Sequence, residues 1–167
     1  MCGGMTYKYP NKDTKRLEEW RVFFPQPHAQ VPVIGEDGDV SLVQWGKRDV
    51  SEDPEFDVPV TGWARVDKLE SSFWQQHKPA TVLVPAIRFS EKGKLPKSVW
   101  FDMPDDTFLM GLKITKRNRS FVYIVTTQAE GSNVIHPRMP LVVGADRRPV
   151  GFDAGWGGPV VEQQKLF

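Results

Sequence analysis

The chain has 167 residues, a formal net charge of +1 and a single cysteine. One cysteine closes no intrachain disulfide, no N-terminal stretch reads as a signal peptide, and no apolar run approaches the ~18 residues of a membrane helix. The expectation is one soluble, cytoplasmic domain over residues 1–167 with no membrane partner, and the near-neutral charge balance confines any nucleic-acid role to local patches.

In chain order, Asn11 to Trp20 (NKDTKRLEEW) is expected to form a short helix, since Asn or Asp at its start caps free amides and Leu17 with Trp20 supplies an apolar edge at i, i+3. The following FFPQPHAQVPV ends it, because its prolines enforce extended backbone. VIGEDGDVSLVQW reads as a hairpin, two strand segments around a Gly/Asp turn. Lys47 to Val60 is charged, contains two prolines and lacks periodicity, and so reads as a surface loop. VDKLESSFWQQ places Val66, Leu69 and Phe73 at helical spacing and predicts a second short helix. From Thr81 onward, TVLVPAIRF, SVWFDM, TFLMGLKI and SFVYIVTTQ are rich in β-branched and aromatic residues and predict strands, separated by EKGKLPK, PDD and TKRNR. The tail GFDAGWGGPVVEQQKLF is too Gly-rich to assign. The fold class is α+β: a β-rich, antiparallel, barrel-like sheet with short flanking helices.

Three residues stand out chemically. Removal of Met1 leaves Cys2 with a free α-amine beside its thiol, with ordinary pKa values of about 7.7–8.0 and about 8.5, so both have accessible nucleophilic forms near neutral pH. An aldehyde condenses with such an amine to an imine, and the adjacent thiol then closes a five-membered thiazolidine. His136 lies between an apolar strand and PRMP, where prolines present an imidazole at a strand end. Glu91 follows a buried-type strand where it turns into a basic loop, and reads either as a partly desolvated general acid–base or as an ion-pair partner of Lys92 or Lys94. His28, His77 and His136 are scattered and lack the paired spacing of zinc ligands, so neither metal nor cofactor is expected.

Taken together and in order, these pieces resemble the SOS-response-associated peptidase family, the abasic-site DNA–protein crosslinking proteins. The matching elements are MCG at the start, VPVI followed by QWG ending at Gly46, AR at Ala64–Arg65, PAIRFSE at Pro85–Glu91, TTQA at Thr126–Ala129 and IHPRMP at Ile135–Pro140. The likeness spans roughly Met1 to Val143. It implies a β-rich domain with a basic groove for single-stranded DNA, in which Cys2 forms a thiazolidine with the ring-opened aldehyde of an abasic site. It further implies that Glu91 shuttles protons, that His136 assists deoxyribose ring opening and crosslink reversal, and that Arg65 contacts phosphate. Trp45 and Arg138, which lie in matched motifs, and Trp63, which stands just before AR, are the other DNA-contact candidates.

The chain departs from the family pattern at several places. Trp63 replaces an asparagine before AR, Phe24 replaces the asparagine of an early YN-AP stretch, Thr81 replaces an arginine, Lys92 replaces a tryptophan, and WGKRD replaces WGL-P. These changes fall mainly on DNA-contacting and orienting positions, whereas Cys2, Glu91 and His136 are kept. Compensation is available from KITKRNR, from EKGKLPK and from stacking on Trp63, although charged hairpin tips are also simply solvated and tryptophans also simply pack. Two other readings stay open: a peptidase or self-processing enzyme using Cys2, and a noncovalent nucleic-acid-binding protein of a mobile element.

Overall fold

The structure is a computed structural model that describes residues 2–92, 97–129, 138–150 and 160–163. Among them, thirteen strands form two sheets, with only a 3-10 turn at Val66–Lys68 and a single helical turn, α1, at Ser72–Gln75. None of the described helices is long and apolar enough to cross a membrane.

The first sheet contains β1 (Cys2–Pro10), β2 (Leu17–Phe23), β7 (Ala86–Lys92), β8 (Lys97–Asp102) and β13 (Val160–Gln163), in the order β13-β8-β7-β1-β2. The second is built on β3 (Gln30–Ile34), β4 (Val40–Trp45), β6 (Ala80–Val84), β9 (Thr107–Lys116) and β10 (Arg119–Gln128). Because β10 pairs with both β4 and β9, these five strands close on themselves as a barrel, which leaves no unpaired edge among them. Three short strands extend the barrel: β5 (Trp63–Arg65), β11 (Arg138–Pro140) and β12 (Val142–Gly144). The barrel-like expectation holds, but the sheet is not wholly antiparallel as expected, because β10 runs parallel to both β4 and β5.

The barrel interior is solid. A Cβ at Gly111 would approach Val122 Cγ2 to 2.8 Å and Val82 Cγ2 to 3.0 Å, so a glycine is required where valines converge. Val31, Val33, Val84, Leu109 and Ile124 are nearly or fully buried, and Met5, Phe89 and Phe101 of the first sheet join the same cluster. This packing fixes the first sheet against the barrel.

The expected helix over Asn11–Trp20 is not formed. Asn11 does cap amides, accepting from Asp13 and Thr14 at 2.8 and 3.2 Å, but the capped element is a turn that Lys15 completes at φ 59°. The chain then runs back as β2 along β1, with Tyr7 opposite Trp20 and Pro10 opposite Leu17. The second expected helix is reduced to the two short turns. Trp74 rather than Phe73 is its buried residue, packed at 5.0 Å on Tyr123. TVLVPAIRF divides at Pro85, which lacks an amide donor, so β6 belongs to the barrel and β7 to the first sheet. The hairpin of β3 and β4 forms as expected around Gly38 at φ 84°, and TKRNR forms a tight turn with Arg117 and Asn118 at positive φ.

The loop over Lys47–Val60 carries no strand but is less superficial than its composition suggests. Lys47 is buried and donates to the carbonyls of Asp53 and Phe56 at 3.3 and 2.9 Å. Gln44 donates to Glu52 and Asp53, while Arg48 and Arg119 pair with those two carboxylates at 3.1 and 2.6 Å. These contacts tie the loop to the barrel.

Candidate active site

Strand β7 lies in the middle of the first sheet, and its distal part carries Glu91. Burial there is complete: Glu91 is 0% exposed and Ser90 is 2% exposed. Removing the carboxylate from water disfavours its charge and raises its pKa to about 7, with the positive amino terminus of the chain pulling in the opposite direction. Glu91 therefore populates both protonation states near neutrality, the condition for passing a proton in either direction.

Cys2 opens β1 and is the register partner of Glu91 across the β1–β7 ladder. Opposed residues of an antiparallel pair have Cα atoms about 4.5–5.5 Å apart, so the sole cysteine and the buried glutamate are direct neighbours across the two strands. The next pair is Gly4 with Ser90, which leaves Gly3 as an extra residue in a bulge. Gly4 admits no Cβ, because one would come within 2.7 Å of Phe23 Cδ1 and 3.0 Å of the Val22 carbonyl. The two glycines that follow Cys2 thus serve backbone geometry.

The bulge leads to an aromatic cluster. The Phe24 amide donates to the Gly3 carbonyl at 3.1 Å, and the Phe24 ring lies 4.6 Å from Trp63 and 5.5 Å from Trp45, centroid to centroid. Arg48 covers Phe24 with its guanidinium 4.4 Å from the ring centre. Trp63 is half-buried. Trp45, expected among the DNA contacts, is fully buried, with its indole N–H donating to the Gly62 carbonyl at 2.9 Å. It supports Trp63 from the core and has no face to offer a strand of DNA, which corrects that expectation.

Arg65 and Arg138 converge through strand pairing. Arg65 of β5 sits opposite Thr126 of β10, and β11 runs along the same part of β10. Arg65 grips Asp67 with two hydrogen bonds of 3.1 and 2.8 Å. Arg138 donates to the Thr126 carbonyl at 2.7 Å and stands 3.9 Å from the same Asp67 carboxylate. The Arg65 hydrogen bonds hold Asp67 below the usual carboxylate range, whereas burial, followed by the charge of Arg65, lowers the Arg138 pKa. Asp67 keeps two cations together.

His136 lies outside the described residues, as does Lys94. Among the described residues, the group of possible metal ligands is His28, Glu52 and Asp53, whose ligand atoms lie within 4.8 Å of one another. Both carboxylates are engaged by guanidiniums, so the arrangement reads as the knot that holds the loop. Sequence reasoning singled out Cys2, Glu91, Arg65 and Trp63, but not the meeting of Phe24 with Trp63. No local spacing connects two residues so distant in the chain. No family model matches the chain, and a search of curated proteins returned no match.

Proposed function

We propose that the chain is an abasic-site sensor that captures the aldehyde of a ring-opened abasic site in single-stranded DNA through Cys2. The observation that carries this reading is the register pairing of Cys2 with a fully buried glutamate. After Met1 is removed, the Cys2 amine adds to the aldehyde carbon to give a carbinolamine. Loss of water gives an imine, and addition of the thiolate to the imine carbon closes the thiazolidine. The sum is aldehyde plus aminothiol giving thiazolidine plus water, with no redox change. Glu91 protonates the departing hydroxyl and accepts the thiol proton. His136 takes the ring-opening role on the strength of the resemblance. Arg65 and Arg138 receive phosphate, and Trp63 offers a stacking face.

The test uses initial rates with a small aldehyde that needs no ring opening. Glu91→Gln slows capture by about 10²–10⁴-fold and removes an inflection near pH 7 from the rate profile. An unchanged rate and profile would leave Glu91 without a chemical role. Cys2-dependent cleavage of a peptide in the absence of DNA would favour a peptidase instead.

A further inference from the structure

Beyond the capture chemistry, the chain carries a pocket of about 310 Å³ beside Trp63, lined also by Arg65, Lys68, Ser71, Phe73 and Trp74. Its size falls at the lower end of the roughly 300–1,000 Å³ typical of small-ligand sites. Phe73 is 54% exposed, an unusual position for a phenyl ring. It meets buried Trp74 edge-on at 5.2 Å, and Trp74 is in turn packed on Tyr123. Trp63 is held comparably, by Phe24 at 4.6 Å and by Trp45 at 6.4 Å and 81°. Two aromatic walls, with Lys68 and the Asp67-bound Arg65 also in the lining, suit a planar group that carries an anion.

We infer that this pocket is a nucleotide subsite, in which an unpaired base lies against Trp63 and Phe73 while the adjoining phosphate meets Lys68 and Arg65. The inference rests on the reading of single-stranded DNA as ligand, and it adds Lys68 and Phe73 as positioning residues. The link to the capture site is short. Trp63 touches Phe24, whose amide is bound to Gly3, the residue after Cys2. The subsite therefore takes a base that neighbours the lesion and gives the protein a preference for a base-bearing flank. Aromatic stacking is tolerant of base identity, so the preference is for the presence of a base, not for a sequence.

The test measures noncovalent binding by the Cys2→Ala chain to short single strands at fixed salt. One strand carries bases throughout, and the other carries a run of base-free tetrahydrofuran phosphates of equal charge. Phe73→Ala weakens binding to the base-bearing strand about tenfold or more, leaves the base-free strand unchanged, and preserves the far-ultraviolet dichroism and melting curve; Phe73→Tyr restores binding. Equal affinity of Phe73→Ala and its parent for the base-bearing strand overturns the subsite, as does an equal loss for both strands. If base-dependent binding requires Phe73 but the unsubstituted chain captures no abasic aldehyde, the subsite stands and the covalent reading fails. If capture proceeds and Phe73→Ala binds normally, the reverse holds.

Discussion

Phe24 and Trp63 lie against one another with their ring centres 4.6 Å apart and their planes tilted by 52°. Two aromatics far apart in the chain are therefore one contact in space. Aromatic pairs contribute about 0.5–1.5 kcal/mol beyond the area they bury. A double-mutant cycle over Phe24→Leu and Trp63→Leu, read by denaturant unfolding, should show a coupling of that order. Additive losses would mean that the rings merely share a core.

A second prediction follows from Glu91 and has a definite sign. Its folded pKa, about 7, lies above the ordinary value of 4.5, so between these two pH values the native state binds more protons than the unfolded chain. Stability attached to the protonated carboxyl is complete below about pH 4.5 and is lost as pH rises through about 7, on the order of 3 kcal/mol in all. Chemical unfolding at a series of pH values should show this decline, and Glu91→Gln should flatten it. A parallel decline in the variant would assign the effect to other groups.

Much of the barrel was legible in the sequence. β9 and β10 announce themselves through β-branched and aromatic runs, and the Gly/Asp turn between β3 and β4 marks their hairpin. The first sheet was not, for physical reasons. Asn11 and Asp13 supply the same polar groups to a hairpin turn as to a helix cap, and Leu17 and Trp20 satisfy a helical spacing that pairing with β1 overrides. Glycines at positions 3 and 4 hide β1, whose strand character comes from being flanked by β2 and β7. Glu91 could be singled out because it ends a buried-type strand. That its register partner is Cys2 depends on a pairing across more than half of the chain, which no local pattern encodes.

The phosphate role proposed for Arg65 has a salt signature. Each phosphate neutralised on a single strand adds about −0.7 to the slope of log affinity against log salt. Arg65→Ala should reduce the magnitude of that slope by about one such increment, whereas Asp67→Asn, which frees Arg65 and Arg138 from a competing carboxylate, should strengthen binding. A slope indifferent to Arg65→Ala would remove it from the binding surface.

The most direct test of the covalent account is intact mass after mixing the Met1-processed protein with a single-stranded oligonucleotide bearing one abasic site. The account predicts a denaturant-resistant species whose mass is that of protein plus oligonucleotide less one water, absent with an undamaged strand and absent with Cys2→Ala. An equally stable conjugate formed by Cys2→Ala, or none formed by the processed unsubstituted protein, would contradict it.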